Sequence, residues 1–121
     1  GTGWQQVACC GYGRSTFAVK TNGTLWAWGD NGNGNLGDST TTSRSTPVQV
    51  VGNATTWKQV SCGLGNASAV KTDGTLWTWG YNSYGQLGLG NRTNYSSPKQ
   101  IGALTNWLTV AGGGYCSFVV S

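Results

Sequence analysis

The sequence predicts an all-β protein, a partial β-propeller of about two and a third four-stranded blades. Three observations carry that reading. First, Val19-Lys-Thr-Asn-Gly-Thr-Leu-Trp-Ala-Trp-Gly29 returns as Val70-Lys-Thr-Asp-Gly-Thr-Leu-Trp-Thr-Trp-Gly80, an offset of 70 − 19 = 51 residues. Self-similarity at a period near fifty marks a repeat architecture, and four short strands per period is the pattern of a propeller blade. Second, Asn22-Gly23 and Asp73-Gly74 each separate two short apolar segments, the strongest local signal for a β-hairpin. Third, no stretch sustains a 3.6-residue hydrophobic period, so helix content is expected to be close to nil.

The elements follow in order. Trp4-Gln-Gln-Val-Ala-Cys-Cys10 reads as a strand anchored by Trp4 and Val7, broken by Gly11-Tyr-Gly13. Thr16–Thr21 and Thr24–Trp28 form the hairpin around Asn22-Gly23, where a type I′ turn needs positive φ at both central residues. Strand alternation puts Trp26 and Trp28 on one face and Leu25 and Ala27 on the other, so both faces are apolar and the sheet should sit between two neighbours. Glycine- and asparagine-rich loops follow at 30–46 and 81–97, long enough to be functional or mobile. Pro47 and Pro98 then open short strands, Val48–Val51 and Lys99–Ile101. Trp57-Lys-Gln-Val60 restarts the cycle, and Trp107-Leu-Thr-Val110 begins a third copy. The expected boundaries are 1–55, 56–105 and 106–121.

Composition narrows the function. Charged residues are 8% of 121, against 21 glycines and seven tryptophans that suit turns and large buried area on short strands. The net charge of +4 comes from seven scattered cations that form no basic stripe, so nucleic acid is not expected as a partner. No apolar run approaches the roughly 20 residues of a membrane helix. The missing initial methionine suggests a processed chain or part of a longer one. Histidine and glutamate are absent, and the carboxylates are Asp30, Asp38 and Asp73, so general acid–base catalysis lacks its usual carriers. Asp73 is used by its turn, and the other two lie in a loop without a partner visible in sequence. No metal set, cofactor cradle or catalytic group is expected. Among Cys9, Cys10, Cys62 and Cys116, Cys9 matches Cys62 in the repeat register. Cys62 is expected to be a reduced, buried thiol, with a disulfide through Cys10 or Cys116 as the alternative.

The residues Val60-Ser-Cys-Gly63, Ala69-Val70, Asp73-Gly74, Leu76-Trp77, Trp79-Gly80, Asn82, Gly85-Gln-Leu-Gly88 and Pro98 together resemble the regulator-of-chromosome-condensation repeat, in a bacterial or phage-like version. The resemblance covers essentially the whole chain and implies a seven-bladed propeller acting as a protein-binding platform rather than an enzyme. Trp26, Trp28, Gly29, Trp77, Trp79, Gly80 and Cys62 then take the places of its structural signature. Where the family often has histidine, this chain has Ser15, Asn66 and Cys116. The loops of its exchange-factor members and the Gly-Trp-Arg-His-Thr motif of its ultraviolet-sensing members are missing, so the tryptophans are assigned to packing.

The expected function is a structural or protein-interaction scaffold, in an extracellular or virion assembly, whose partners are other proteins or further copies of itself. An intracellular propeller binding a small GTPase or chromatin is the alternative. A sugar-binding variant is a third reading, because Tyr81, Tyr84 and Tyr95 share an exposed loop with Asn82 and Arg92. Arg44 is the corresponding candidate on the first loop. Two and a third blades cannot close a ring, so either further residues of the same polypeptide or other copies are expected to complete it.

Overall fold

A computed structural model describes residues 3–10, 15–52 and 54–102, with the backbone of 109–113 and 116–120. The break at Gly11–Gly13, Trp107 and the side chains of Val110, Cys116 and Val120 lie outside the described residues. Every element described is a strand. Strands β1 (Trp4–Cys9), β2 (Ser15–Lys20), β3 (Leu25–Gly29) and β4 (Arg44–Gln49) make one antiparallel sheet in chain order. Strands β5 (Trp57–Cys62), β6 (Asn66–Lys71), β7 (Leu76–Gly80) and β8 (Tyr95–Gln100) repeat it, and β9 (Thr109–Gly113) pairs with β10 (Cys116–Val120). These are two propeller blades followed by the first two strands of another.

The hairpin turns lie where the sequence places them, but their geometry differs. Gly23 N–H donates to the Lys20 carbonyl (2.9 Å) and Lys20 N–H to the Thr24 carbonyl (2.9 Å), closing a three-residue loop. Gly23 has φ 82° while Asn22 keeps a negative φ, so this is a turn with a glycine bulge rather than type I′. Asn22 accepts hydrogen bonds through Oδ1 from the Thr24 N–H and hydroxyl at 3.1 and 2.6 Å. Asp73 does the same for Thr75 at 3.0 and 2.6 Å. The side chain closes the turn from outside, which removes the need for positive φ at its own position. A β-carbon on Gly23 would also run into the Thr55 carbonyl, in the link that leads into β5, so glycine is required there twice over.

Strands β4 and β8 also begin earlier than Pro47 and Pro98 suggest. Arg44 pairs opposite Gly29 and Tyr95 opposite Gly80, each across a bulge. Pro47 therefore sits inside an outer edge strand, where its missing N–H costs no ladder bond.

One hydrophobic cluster runs through both sheets. Phe17, Val19, Leu25, Ala27, Leu36 and Val50 of the first blade meet Trp57, Val60, Ala67, Ala69 and Trp79 of the second. Phe17 and Trp79 touch edge to face with centroids 5.9 Å apart. The opposite face of the second blade carries Val70 and Leu76, backed by Ile101. Trp79 is fully enclosed, whereas Trp26, Trp28 and Trp77 are only partly buried.

Polar contacts fix how one blade sits on the next. The Trp57 N–H donates to the Gly23 carbonyl (3.0 Å), and Trp79 Nε1 donates to the Asn35 carbonyl (3.0 Å). On the inner edge of the second blade, Val60 N–H donates to Gln6 Oε1 (3.1 Å) and Gln6 Nε2 donates to the Val60 carbonyl (3.3 Å). A single carboxamide thus pairs with both backbone groups of an edge residue.

The expectation of a reduced Cys62 is overturned. Cys62 forms a disulfide with Cys10, with Cα atoms 5.1 Å apart, inside the span a bridge requires. Cys9, its equal in the repeat register, is exposed and free. Cys10 lies one residue past β1, where its N–H donates to the Ser15 carbonyl (2.9 Å) and its side chain is 6% exposed. Its sulfur meets that of Cys62, at the end of β5, across the blade junction.

Candidate interaction surface

The loops between the third and fourth strands of each blade were expected to be functional or mobile, and their middles are held by one buried asparagine apiece. Asn31 Nδ2 donates to Asp38 Oδ1, the Thr40 carbonyl and the Thr42 carbonyl, each at 3.0 Å, and Asn31 Oδ1 accepts from the Leu36 N–H (2.9 Å). Asn82 repeats the arrangement with the Asn91 carbonyl and Oδ1 (both 3.1 Å), the Thr93 carbonyl (2.9 Å) and the Leu87 N–H (3.0 Å). A carboxamide offers donors and an acceptor from one planar group, so it closes a loop that has no ladder of its own. Both side chains are fully buried, so Asn82 is spent on its loop and presents nothing to a ligand.

Asp38 is also engaged, contrary to its expected isolation. Partial burial would raise its pKa, but hydrogen bonds from the hydroxyl and N–H of Thr40, from Asn31 and from Arg44 outweigh that and hold it below the ordinary carboxylate value. Arg44 Nε sits 3.1 Å from Asp38 Oδ2, so this candidate is partly used in bracing its own loop.

The first loop also grips the next blade. Ser39 N–H donates to the Ser96 carbonyl (2.8 Å), and Gly34 lies so close to Ser96 that any β-carbon there would strike its backbone. Asn33 reaches Gly65 of the second blade. The 51-residue offset makes Tyr84 the counterpart of Asn33 and Gly85 that of Gly34. Tyr84, at the place Asn33 holds on the first loop, is 67% exposed.

The other candidates are placed as follows. Tyr81 and Tyr84 touch edge to face with centroids 6.1 Å apart. Tyr95 lies at the start of β8, its hydroxyl accepting from Asn91 Nδ2 (3.1 Å) and Lys99 Nζ standing 5.3 Å from its ring centroid. Arg92 is exposed on the same loop. Tyr81 and Tyr84 are brought together, while Tyr95 is tied to Asn91 and Lys99.

Sequence reasoning missed one repeated constellation. Lys20 Nζ lies 4.9 Å from the Trp4 ring and 4.4 Å from the Trp26 ring, and Lys71 Nζ lies 4.8 Å from Trp57 and 4.1 Å from Trp77. The indole Nε1 of Trp26 and of Trp77 donates at 2.8 Å to the hydroxyl of Thr24 and Thr75. Burial lowers the Lys71 pKa, with Asp73 opposing it. The signal was present, since each lysine holds the same place in both copies. Among the described residues there is no group of three or more histidine, cysteine, aspartate or glutamate side chains able to hold a metal, and no helix long and apolar enough to cross a membrane.

Two bonded blades with asparagine-closed loops and Leu-Trp-x-Trp-Gly third strands agree with the comparison to known families. The model of the regulator of chromosome condensation (RCC1) repeat matches residues 22–70 and 73–120, and a second model of the same repeat matches 4–35 and 57–86. The chain belongs to the RCC1 repeat family. It is 36% identical over 107 residues to the X-linked retinitis pigmentosa GTPase regulator of Mus musculus, covering 85% of this chain and 11% of that protein. It is also 36% identical over 99 residues to the ultraviolet-B receptor of Arabidopsis thaliana, covering 80% of this chain and 22% of the receptor. The crystal structure of Prp20p from Saccharomyces cerevisiae, studied for its binding to Gsp1p and histones, superposes with a TM-score of 0.79 at 18% identity, over 92% of this chain and 29% of that one. The RCC1 repeat chain thus spans less than a third of each, and the likeness to Prp20p is one of fold.

Proposed function

We propose that this chain is a segment of an RCC1-type propeller that binds other proteins and catalyses nothing itself. The observation that carries the reading is the stiff mount of its loops. The loop after β3 is closed from within by Asn31 and clamped to the next blade through Ser39 and Ser96, which suits a surface held ready for recognition. The blade boundaries 1–55, 56–105 and 106–121 belong to this proposal. So does the assignment of Tyr81, Tyr84, Tyr95, Arg92 and Arg44 to its contact surface, with Tyr84 facing a following blade.

Two finer readings compete. A structural scaffold in an extracellular or virion assembly, of the bacterial or phage kind, is supported by the low charge and near-identical blades. The Cys10–Cys62 bridge favours an oxidising compartment and so points the same way. A regulatory propeller binding a small GTPase or chromatin is supported by the eukaryotic relatives and by Prp20p. Carbohydrate binding draws only on the Tyr81–Tyr84 pair. Adding the chain to a small GTPase loaded with a fluorescent nucleotide separates the two main readings: the scaffold predicts no change in nucleotide release, and acceleration selects the regulator. Light scattering on residues 1–121 tests the segment itself. Association is expected, and a stable folded species at the 12.6 kDa monomer mass defeats the segment reading.

A further inference from the structure

The Asn-Gly pairs of the chain all lie in the first blade, at Asn22-Gly23, Asn31-Gly32 and Asn33-Gly34. The second blade has Asp73-Gly74, Asn82-Ser83 and Tyr84-Gly85 in their places. An asparagine before glycine is open to attack on its carboxamide carbon by the next backbone nitrogen, which no side chain shields. Each of these glycine nitrogens is engaged: Gly23 donates to the Lys20 carbonyl (2.9 Å), Gly34 to the Asn31 carbonyl (3.0 Å) and Gly32 to Asp30 Oδ1 (3.4 Å). The asparagine side chains therefore decide which pair reacts. Asn22 has its Oδ1 held by the Thr24 N–H and hydroxyl (3.1 and 2.6 Å). Asn31 is 0% exposed, with Nδ2 and Oδ1 both bonded inside its loop. Asn33 is partly exposed, and among the described residues no hydrogen bond holds its carboxamide, which lies beside Gly65.

We propose that Asn33-Gly34 is a site of spontaneous deamidation that loosens the clamp between the blades. The Gly34 nitrogen attacks Cγ of Asn33, the Cγ–Nδ2 bond breaks, and ammonia leaves with the proton that nitrogen gave up. A cyclic succinimide remains, and water opens it at either carbonyl. Attack at Cγ gives aspartate with the backbone as before. Attack at the backbone carbonyl gives isoaspartate, whose chain runs through Cγ and is longer by one methylene. Gly34 has no room for that change, because its φ is 75° and a β-carbon on it would already strike the Ser96 Cα. A lengthened link moves Gly34 off Ser96 and frees the nearby Ser39 N–H from the Ser96 carbonyl, to which it donates at 2.8 Å. Tyr84, at the matching place, has no carboxamide, so the second loop is exempt. The first loop thus carries a one-way, uncatalysed timer on its mount, with water as the other reactant.

The test follows both the site and its effect. Native protein is aged at mildly alkaline pH and cut with trypsin. The peptide between Lys20 and Arg44, which holds all the Asn-Gly pairs, is then sequenced by electron-transfer mass spectrometry. Conversion at Asn33 is expected to be at least about tenfold faster than at Asn22 or Asn31, whose hydrogen bonds must first open. In urea the rates should converge, because the fold no longer separates them. Equal native rates, faster conversion at Asn22 or Asn31, or a difference that persists in urea overturns the site. Hydrogen exchange reads the clamp. The Ser39 amide should exchange faster as isoaspartate accumulates, and should stay protected in an equally aged Asn33→Gln variant. A Ser39 amide as protected after conversion as before, or lost equally in the aged variant, overturns the loosening.

Discussion

The two blades are nearly the same sequence, yet they hold equivalent residues in different surroundings. Trp79 is sealed between Phe17 and Trp57 with its Nε1 bonded to Asn35, while Trp28, in the same place on the first blade, is partly open. Val60 has both backbone groups held by Gln6, while Val7 is 58% exposed. What a residue contributes in such an array depends on whether a neighbour stands on its face, and the side chain alone does not decide it.

The comparison breaks most sharply at the tryptophans. Trp79→Ala should destabilise the chain by about 3–5 kcal/mol, as a large side chain lost from a closed core. Trp28→Ala should cost less, about 1–2 kcal/mol, because Trp28 is not fully enclosed and part of its surface already meets water. Equal losses in urea denaturation would mean that the blades are equally enclosed.

Reduction of the Cys10–Cys62 bridge comes next. It joins residues 52 apart, and loop-closure entropy assigns such a bridge about 4 kcal/mol, with measured bridges more often about 2–4. Thermal unfolding with and without reductant should show the drop, and Cys10→Ser should reproduce it. A chain indifferent to reductant would show that burial of Phe17, Trp57 and Trp79 holds the junction unaided.

Smaller effects sharpen the loop comparison. Asn82→Ala leaves the Leu87 N–H and the carbonyls of Asn91 and Thr93 without their partner, for an expected loss of about 2–3 kcal/mol. Asn31→Asp should be worse than Asn31→Ala, since it sets a carboxylate oxygen against Asp38 and two carbonyls. The reverse order in chemical denaturation would mean that the loop rearranges around the charge.

The smallest effect is in pH. The folded-state pKa of Asp38 is depressed, so its contribution is fully present above the unfolded value of about 3.9 and is lost as pH falls through the lower folded value. The second loop has Leu89 at the matching position, with no carboxylate to titrate, so Asp38→Asn should remove only the acid-side dependence of the first. Equal acid sensitivity of parent and variant would assign it elsewhere.

Much of this architecture was legible in the residues. The 51-residue offset located both hairpins and both Trp-x-Trp strands, because those features are local and occur twice. The turn type was not legible, since Asn22 and Asp73 close their loops by side-chain acceptance rather than by positive φ. The early starts of β4 and β8 were hidden because pairing opposite Gly29 and Gly80 depends on the loops that bring the chain back. The disulfide was missed because register matched Cys62 with Cys9, whereas the bond crosses between blades to the neighbouring residue.

The pairing of Gln6 with Val60 has a consequence for how such arrays grow. One side chain meets both the donor and the acceptor of a single residue, so it acts as an index pin for the slide of one sheet along the next. A slip by two residues would bring it to Lys58 or Cys62, and would pull Trp79 away from the Asn35 carbonyl and Cys62 away from Cys10. The pin belongs to the blade, and Gln59 holds the same place in the second copy. A duplicated blade would therefore arrive with its own alignment built in, and an array could lengthen without any new part to set its pitch.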